Sequence, residues 1–125
     1  MSEKINWSFS AQVLKGPVIS GGGNLDVKGY EKIDLKLVKD VGTDSASITN
    51  FSSVSLLIIS SDTYDPLITY AGNHELAIAT CKLDGPHIFI GQMAADFLKK
   101  NNTITFTNGS PNDIEIQILI GRKTV

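Results

Sequence analysis

Ile5-Asn6-Trp7-Ser8-Phe9-Ser10-Ala11-Gln12-Val13 is the stretch that decides the fold class. Successive side chains of a strand point to opposite sides, so Ile5, Trp7, Phe9, Ala11 and Val13 share one face and Asn6, Ser8, Ser10 and Gln12 the other. Wound into a helix, the same apolar set would scatter around the circumference. The segment reads as a half-buried strand whose apolar face, Trp7 included, belongs to a core. Gly16-Pro17 ends it, because proline cannot donate to a ladder.

The same period recurs down the chain. Ile33, Leu35 and Leu37 alternate with Asp34 and Lys36, and Ile104 and Phe106 alternate with Thr103, Thr105 and Thr107. Ile114, Ile116, Ile118 and Ile120 share one face, with Glu115, Gln117 and Leu119 on the other. Val54 to Ile59, apolar at every position but Ser55, has the pattern of a central strand covered on both sides. Gly21-Gly22-Gly23-Asn24, Lys28-Gly29, Asp84-Gly85-Pro86 and the polar stretches 41–50, 60–66 and 108–113 read as turns and loops. Leu67–Tyr70 and Glu75–Leu83 flank residues 71–74 as the arms of a hairpin.

One segment breaks this rhythm. Residues 92–100 are rich in helix formers, with Met93, Phe97 and Leu98 on one side and two lysines at the end, and predict a short helix capping one end of the sheets. The sum is an all-β chain: an antiparallel two-sheet β-sandwich of jelly-roll type, with eight or nine strands and one short helix near residues 92–100. With 125 residues and no linker or repeat, residues 1–125 make a single domain.

Composition narrows the function classes. Hydrophobic residues make up 42% of the chain, enough for a core, and the balance of 11 basic against 13 acidic residues gives a net charge of -2. No excess of Lys and Arg exists to neutralise phosphates, so no nucleic-acid partner is expected. The single cysteine, Cys81, excludes an intramolecular disulfide framework or a cysteine-cluster zinc site, and its apolar surroundings read as those of a small buried hydrophobe. The start of the chain, Met1 to Trp7, has neither the basic nor the apolar region of a signal peptide. Leu56-Leu57-Ile58-Ile59 is far short of the ~20 residues that span a bilayer. The expectation is a cytoplasmic protein with no membrane partner, incorporated into a particle.

Catalytic kits are missing from the pattern. His74 and His87 are the only imidazoles; the first falls at a hairpin tip, the second at a strand start, and neither shares a strand face with Cys81. There is no G-x-S-x-G elbow, no H-E-x-x-H pair and no phosphate loop. The sequence therefore predicts no enzyme, no resident metal and no cofactor. A ligand loop is the one constellation of interest. Asp62 and Asp65 with backbone carbonyls suit a calcium ion, and Tyr64, Tyr70 and His74 beside them suit a sugar or other small ligand.

The strongest positive signal is the lack of charge on the outward faces: Ser8, Ser10, Thr103, Thr105 and Gln117. Natural edge strands are usually blunted with Lys, Pro or bulges, and strands without such protection invite pairing with another chain. The sequence thus predicts a non-enzymatic structural subunit that associates with itself, as in the shell or appendage of a phage- or virus-like particle. Its subunit contact is expected at Leu119 and Gln117, with Thr105 adjoining them through a hairpin running from Thr103 to Ile120. The alternative is a carbohydrate- or small-ligand-binding module assisted by calcium at the Asp62–Tyr70 loop.

Overall fold

The computed structural model describes residues 3–48, 53–72, 81–91 and 103–123. They form β1 (Glu3–Gln12), β2 (Val18–Leu37), β3 (Gly42–Ser47), β4 (Val54–Ser61), β5 (Ile68–Gly72), β6 (Cys81–Lys82), β7 (His87–Ile90), β8 (Thr103–Asn108) and β9 (Ile114–Lys123). The chain is all-β with two antiparallel sheets, and no helix occurs among the described residues. Residues 92–100, where the sequence predicts one, lie outside them.

The five-stranded sheet runs β1-β2-β9-β4-β7 and the four-stranded sheet β3-β8-β5-β6. The pairings β2 with β9, β3 with β8, β4 with β7 and β5 with β6 are nested, each inside the one before it. β4 with β9 and β5 with β8 close the seams between successive layers of that nest. The hairpin expected between β8 and β9 does not form, because consecutive strands there belong to different sheets. The five-residue connection 109–113 carries the chain across the sheet ends instead of turning it back.

The core lies between the sheets. Ile114, Ile116, Ile118 and Ile120 all point into it, as their spacing predicts, beside Leu35 and Leu37 of β2 and Leu57 and Ile59 of β4. Ala46, Ile68, Tyr70, Ile104 and Phe106 answer from the other sheet. β4 is buried on both faces, as its largely apolar run predicts, with Leu57 and Ile59 toward this core and Leu56 fully buried on the opposite side.

What covers that opposite side is the first strand. Register irregularities fall at the same level on both flanks of β9, between Val27 and Gly29 in β2 and between Val54 and Leu56 in β4. An extra residue in a strand bends it and increases its twist. Together the two curl the five-stranded sheet into a half-barrel, so that β1 swings across the face turned away from the main core. Gly121 makes the closure tight. A Cβ there would meet Ile5 Cδ1 at 3.0 Å, Leu56 Cβ at 3.2 Å and Val27 Cγ1 at 3.2 Å.

Four expectations are corrected here. Residues 42–47, within the stretch read as a loop, form β3 and pair with β8 throughout. The apolar face of β1 does not join the main core: Ile5 and Trp7 are half-buried inside the curl, and Phe9, Ala11 and Val13 are exposed. Gly21-Gly22-Gly23 is not a turn but mid-strand, paired with Phe9, Ser8 and Trp7. Lys28-Gly29 likewise continues β2 through its irregularity rather than turning the chain.

Candidate functional site

The inside of the curl is an open groove of about 690 Å³. Trp7 and Phe9 form one wall, Ile58 and Leu119 the floor, and Ile88 and Ile90 the far wall, with Asn6 and Ser8 the polar groups at its margin. The sequence places each of them locally. Ile58 pairs with both Leu119 and Ile88 across neighbouring strands, so three apolar side chains line up on one face. On β1, alternation puts Ile5, Trp7 and Phe9 on the same side as one another.

The triple glycine shapes the aromatic wall. Trp7 stands opposite Gly23 and Phe9 opposite Gly21. A Cβ on Gly21 would lie 2.8 Å from the Phe9 ring, and one on Gly23 would lie 3.2 Å from the Trp7 indole. Because neither Cβ exists, both rings lie flat over the β2 backbone, their planes 4° apart and their centroids 6.3 Å apart. Aromatic rings laid over strand glycines fill the space that a side chain would otherwise occupy. No charged side chain lines the groove.

Beyond the groove the β1–β2 ribbon continues as an arm. Residues 8–22 pair only with one another, and all but Gly16 are exposed. The arm carries Val13, Leu14, Val18 and Ile19 at its tip, exposed by 64%, 90%, 54% and 67%. Between Ile5 and Leu25 the only charged residue is Lys15. Exposed apolar residues scattered singly are ordinary; here four stand together at one tip, with Lys15 the one charge among them.

The chain matches no known family, no curated protein and no solved structure.

The residues singled out in the sequence separate into three places. Leu119 and Gln117 do lie on the outward face of the five-stranded sheet, Leu119 on the groove floor and Gln117 exposed two residues away. Thr105 is not beside them: it sits in the other sheet, opposite Ala71 and Ser45, its Oγ1 3.0 Å from Ser45 Oγ. The expected three-residue contact therefore reduces to Leu119 and Gln117, and the groove supplies what adjoins them.

The polar side chains of the Asp62–Tyr70 loop are occupied with backbone amides. Asp62 Oδ1 accepts the Glu115 amide at 3.1 Å, Asp65 Oδ1 accepts the Leu67 amide at 2.8 Å, and Tyr64 Oη accepts the Ser61 amide at 3.3 Å. The last two are the local side-chain-to-backbone bonds that build turns, and the first ties the loop to the start of β9. Tyr70 is not part of this surface. It is 1% exposed, packed on Phe106 with ring centroids 5.4 Å apart, and cannot stack on a sugar. His74 lies outside the described residues. Among those residues no group of three or more His, Cys, Asp and Glu is placed to hold a metal ion.

Tyr70 instead belongs to a cluster the sequence does not announce. Its hydroxyl is hydrogen-bonded to His87 Nδ1, joining β5 of one sheet to β7 of the other. Cys81, its neighbour across the β5–β6 pair, is half-buried against the same core. Burial, helped by the adjacent Cys81, pushes the Tyr70 phenol well above its ordinary value. Burial also raises the Cys81 thiol, although its hydrogen bond with Tyr70 pulls the other way. A thiol held protonated is a poor nucleophile, since the thiolate is the reactive form. The cluster pins the two sheets together rather than offering a reactive sulfur.

Proposed function

We propose that this chain is a non-enzymatic structural subunit of jelly-roll type that associates with itself. Nested pairing of β2 with β9, β3 with β8, β4 with β7 and β5 with β6 is what a long antiparallel hairpin gives when it is rolled up, and it supports the jelly-roll reading. One observation carries the functional reading: an exposed β1–β2 arm with four apolar residues at its tip and one charge in its whole length. A solvated arm gains from charge, and one without it is suited to being covered. Shell and appendage proteins of particles use folds of this type, a likeness of architecture that makes incorporation into a particle the natural setting.

The alternative is a small-ligand module. Its seat moves from the Asp62–Tyr70 loop, whose carboxylates hold backbone amides, to the apolar groove, whose 690 Å³ falls within the ~300–1,000 Å³ of ligand pockets. Light scattering coupled to gel filtration separates the two. Self-association gives a mass that climbs above the 13.5 kDa of one chain as loading rises. A mass fixed at one chain at high micromolar concentration overturns the first reading.

A further inference from the structure

The groove and the arm tip are two apolar surfaces on one chain, the first uncharged and the second with Lys15 alone, and they do not meet. β1 is itself a wall of the groove, with Trp7 and Phe9 facing into it. The ladder runs three residues further, to Gln12 opposite Val18, about 10 Å at the rise of a strand, and Leu14 sits in the turn beyond it. The tip therefore points away from its own groove.

We propose that the groove of each protomer receives the β1–β2 arm tip of a second copy, with Leu14 and Ile19 seated among Trp7, Ile88 and Leu119. This rests on the reading of the chain as self-associating and names the contact. Three observations select a second copy over other occupants. The lining holds no charge and Lys15 is the only one at the tip, so docking buries no charge as long as the exposed Lys15 ammonium stays at the rim. The margin of the groove offers Asn6 and Ser8 as polar groups for a rim, the usual arrangement around an apolar interface centre. The tip is also held in shape before it docks: Gly16 N donates to Val13 O at 2.7 Å, Val13 N donates to Pro17 O at 3.1 Å, and Lys15 takes a left-handed φ of 57°. A tip already ordered pays little conformational entropy on binding.

Tip and groove are different surfaces, so the contact is heterologous. Such contacts close into rings when the rotation allows and otherwise run on as open assemblies.

Trp7, the only tryptophan in the chain, reports directly on the groove. Its emission should move to the blue as protein concentration rises, in step with at least a doubling of mass. Leu14→Asp, at an exposed turn where folding is not at stake, should abolish both changes while leaving the circular dichroism spectrum intact. Proteins carrying Leu14→Cys or Ile88→Cys, each in a Cys81→Ser background, should form a mixed disulfide dimer when combined under oxidising conditions. Association and Trp7 shift that persist in Leu14→Asp, with no mixed dimer, overturn the arm-in-groove contact and leave self-association standing. A wild-type protein that stays monomeric overturns both. A Trp7 shift produced by dodecanoate but not by protein concentration makes a small apolar ligand the occupant and also overturns the proposal.

Discussion

Replacing Asn108 with alanine should cost this protein a large part of its stability, although the residue lies in a stretch of turn-forming sequence. Asn108 ends β8 and is fully buried. Its Nδ2 donates toward the carbonyl oxygens of Asn112 at 2.8 Å, Val38 at 3.1 Å and Leu37 at 3.3 Å. Its Oδ1 accepts from Ser110 Oγ at 2.6 Å and Ser110 N at 3.0 Å. One amide thus ties the end of β2, the end of β8 and the loop leading into β9. A typical hydrogen bond is worth about 1 kcal/mol net, and a buried group left without a partner costs about 1–3 kcal/mol. Ser110 keeps a second acceptor in Asn112 O at 3.1 Å, which softens the loss on that side. The expected cost of Asn108→Ala is about 3–5 kcal/mol, against the ~5–15 kcal/mol that holds a domain folded. Asn108→Asp should be at least as damaging, because a carboxylate would face the same carbonyl oxygens. Urea titration followed by circular dichroism reads the loss as a lower midpoint at unchanged slope. Asp113→Ala, which removes only an exposed acceptor for the Lys39 amide, is the control and should cost less than about 1 kcal/mol. If Asn108→Ala costs no more than that control, the amide does not organise this end of the fold.

Three further outcomes follow from the packing. Ile118→Ala should destabilise by roughly 2–5 kcal/mol in the same titration through lost burial and a residual cavity, while Leu119→Asp, on the opposite face, should leave the unfolding midpoint nearly unchanged and weaken association measured by light scattering. Gly121→Val places carbon where Ile5, Leu56 and Val27 already crowd, so it should lower stability by about 1–3 kcal/mol and increase the hydrogen exchange of β1 amides as that strand is pushed off the curl. Burial raises both Tyr70 and Cys81, so the folded state binds more protons than the unfolded state above their ordinary values. Stability should be fully present below about pH 8.5–9 and fall as pH rises through about 9 and 10, and Cys81→Ala should flatten the first part of that fall.

The parts of the fold that were legible in the sequence are those where one face meets a continuous core. The four isoleucines of β9 and the largely apolar run of β4 read correctly because burial alone fixes their pattern. Alternation in β1 was equally clear, yet it says only that one face is apolar, not what covers it. The covering depends on the paired irregularities beside β9, which no local pattern reveals. Gly21–Gly23 carries the composition of a turn, and its role as a bed for Trp7 and Phe9 appears only when the two strands are set in register. That pairing of alternate aromatics with alternate glycines was the available signal. Thr105 was placed beside Leu119 because β8 and β9 are close in sequence; crossing between sheets parts them. Tyr70 and His87 meet only through tertiary folding, 17 residues apart and in different sheets.

Sedimentation velocity of the wild-type chain beside Leu14→Asp, run as a concentration series, tests the central claim most directly. The account requires the wild type to move from one-chain mass toward larger species as concentration rises, and Leu14→Asp to remain at 13.5 kDa throughout. A wild type that sediments as a single chain across the series, indistinguishable from Leu14→Asp, would contradict it.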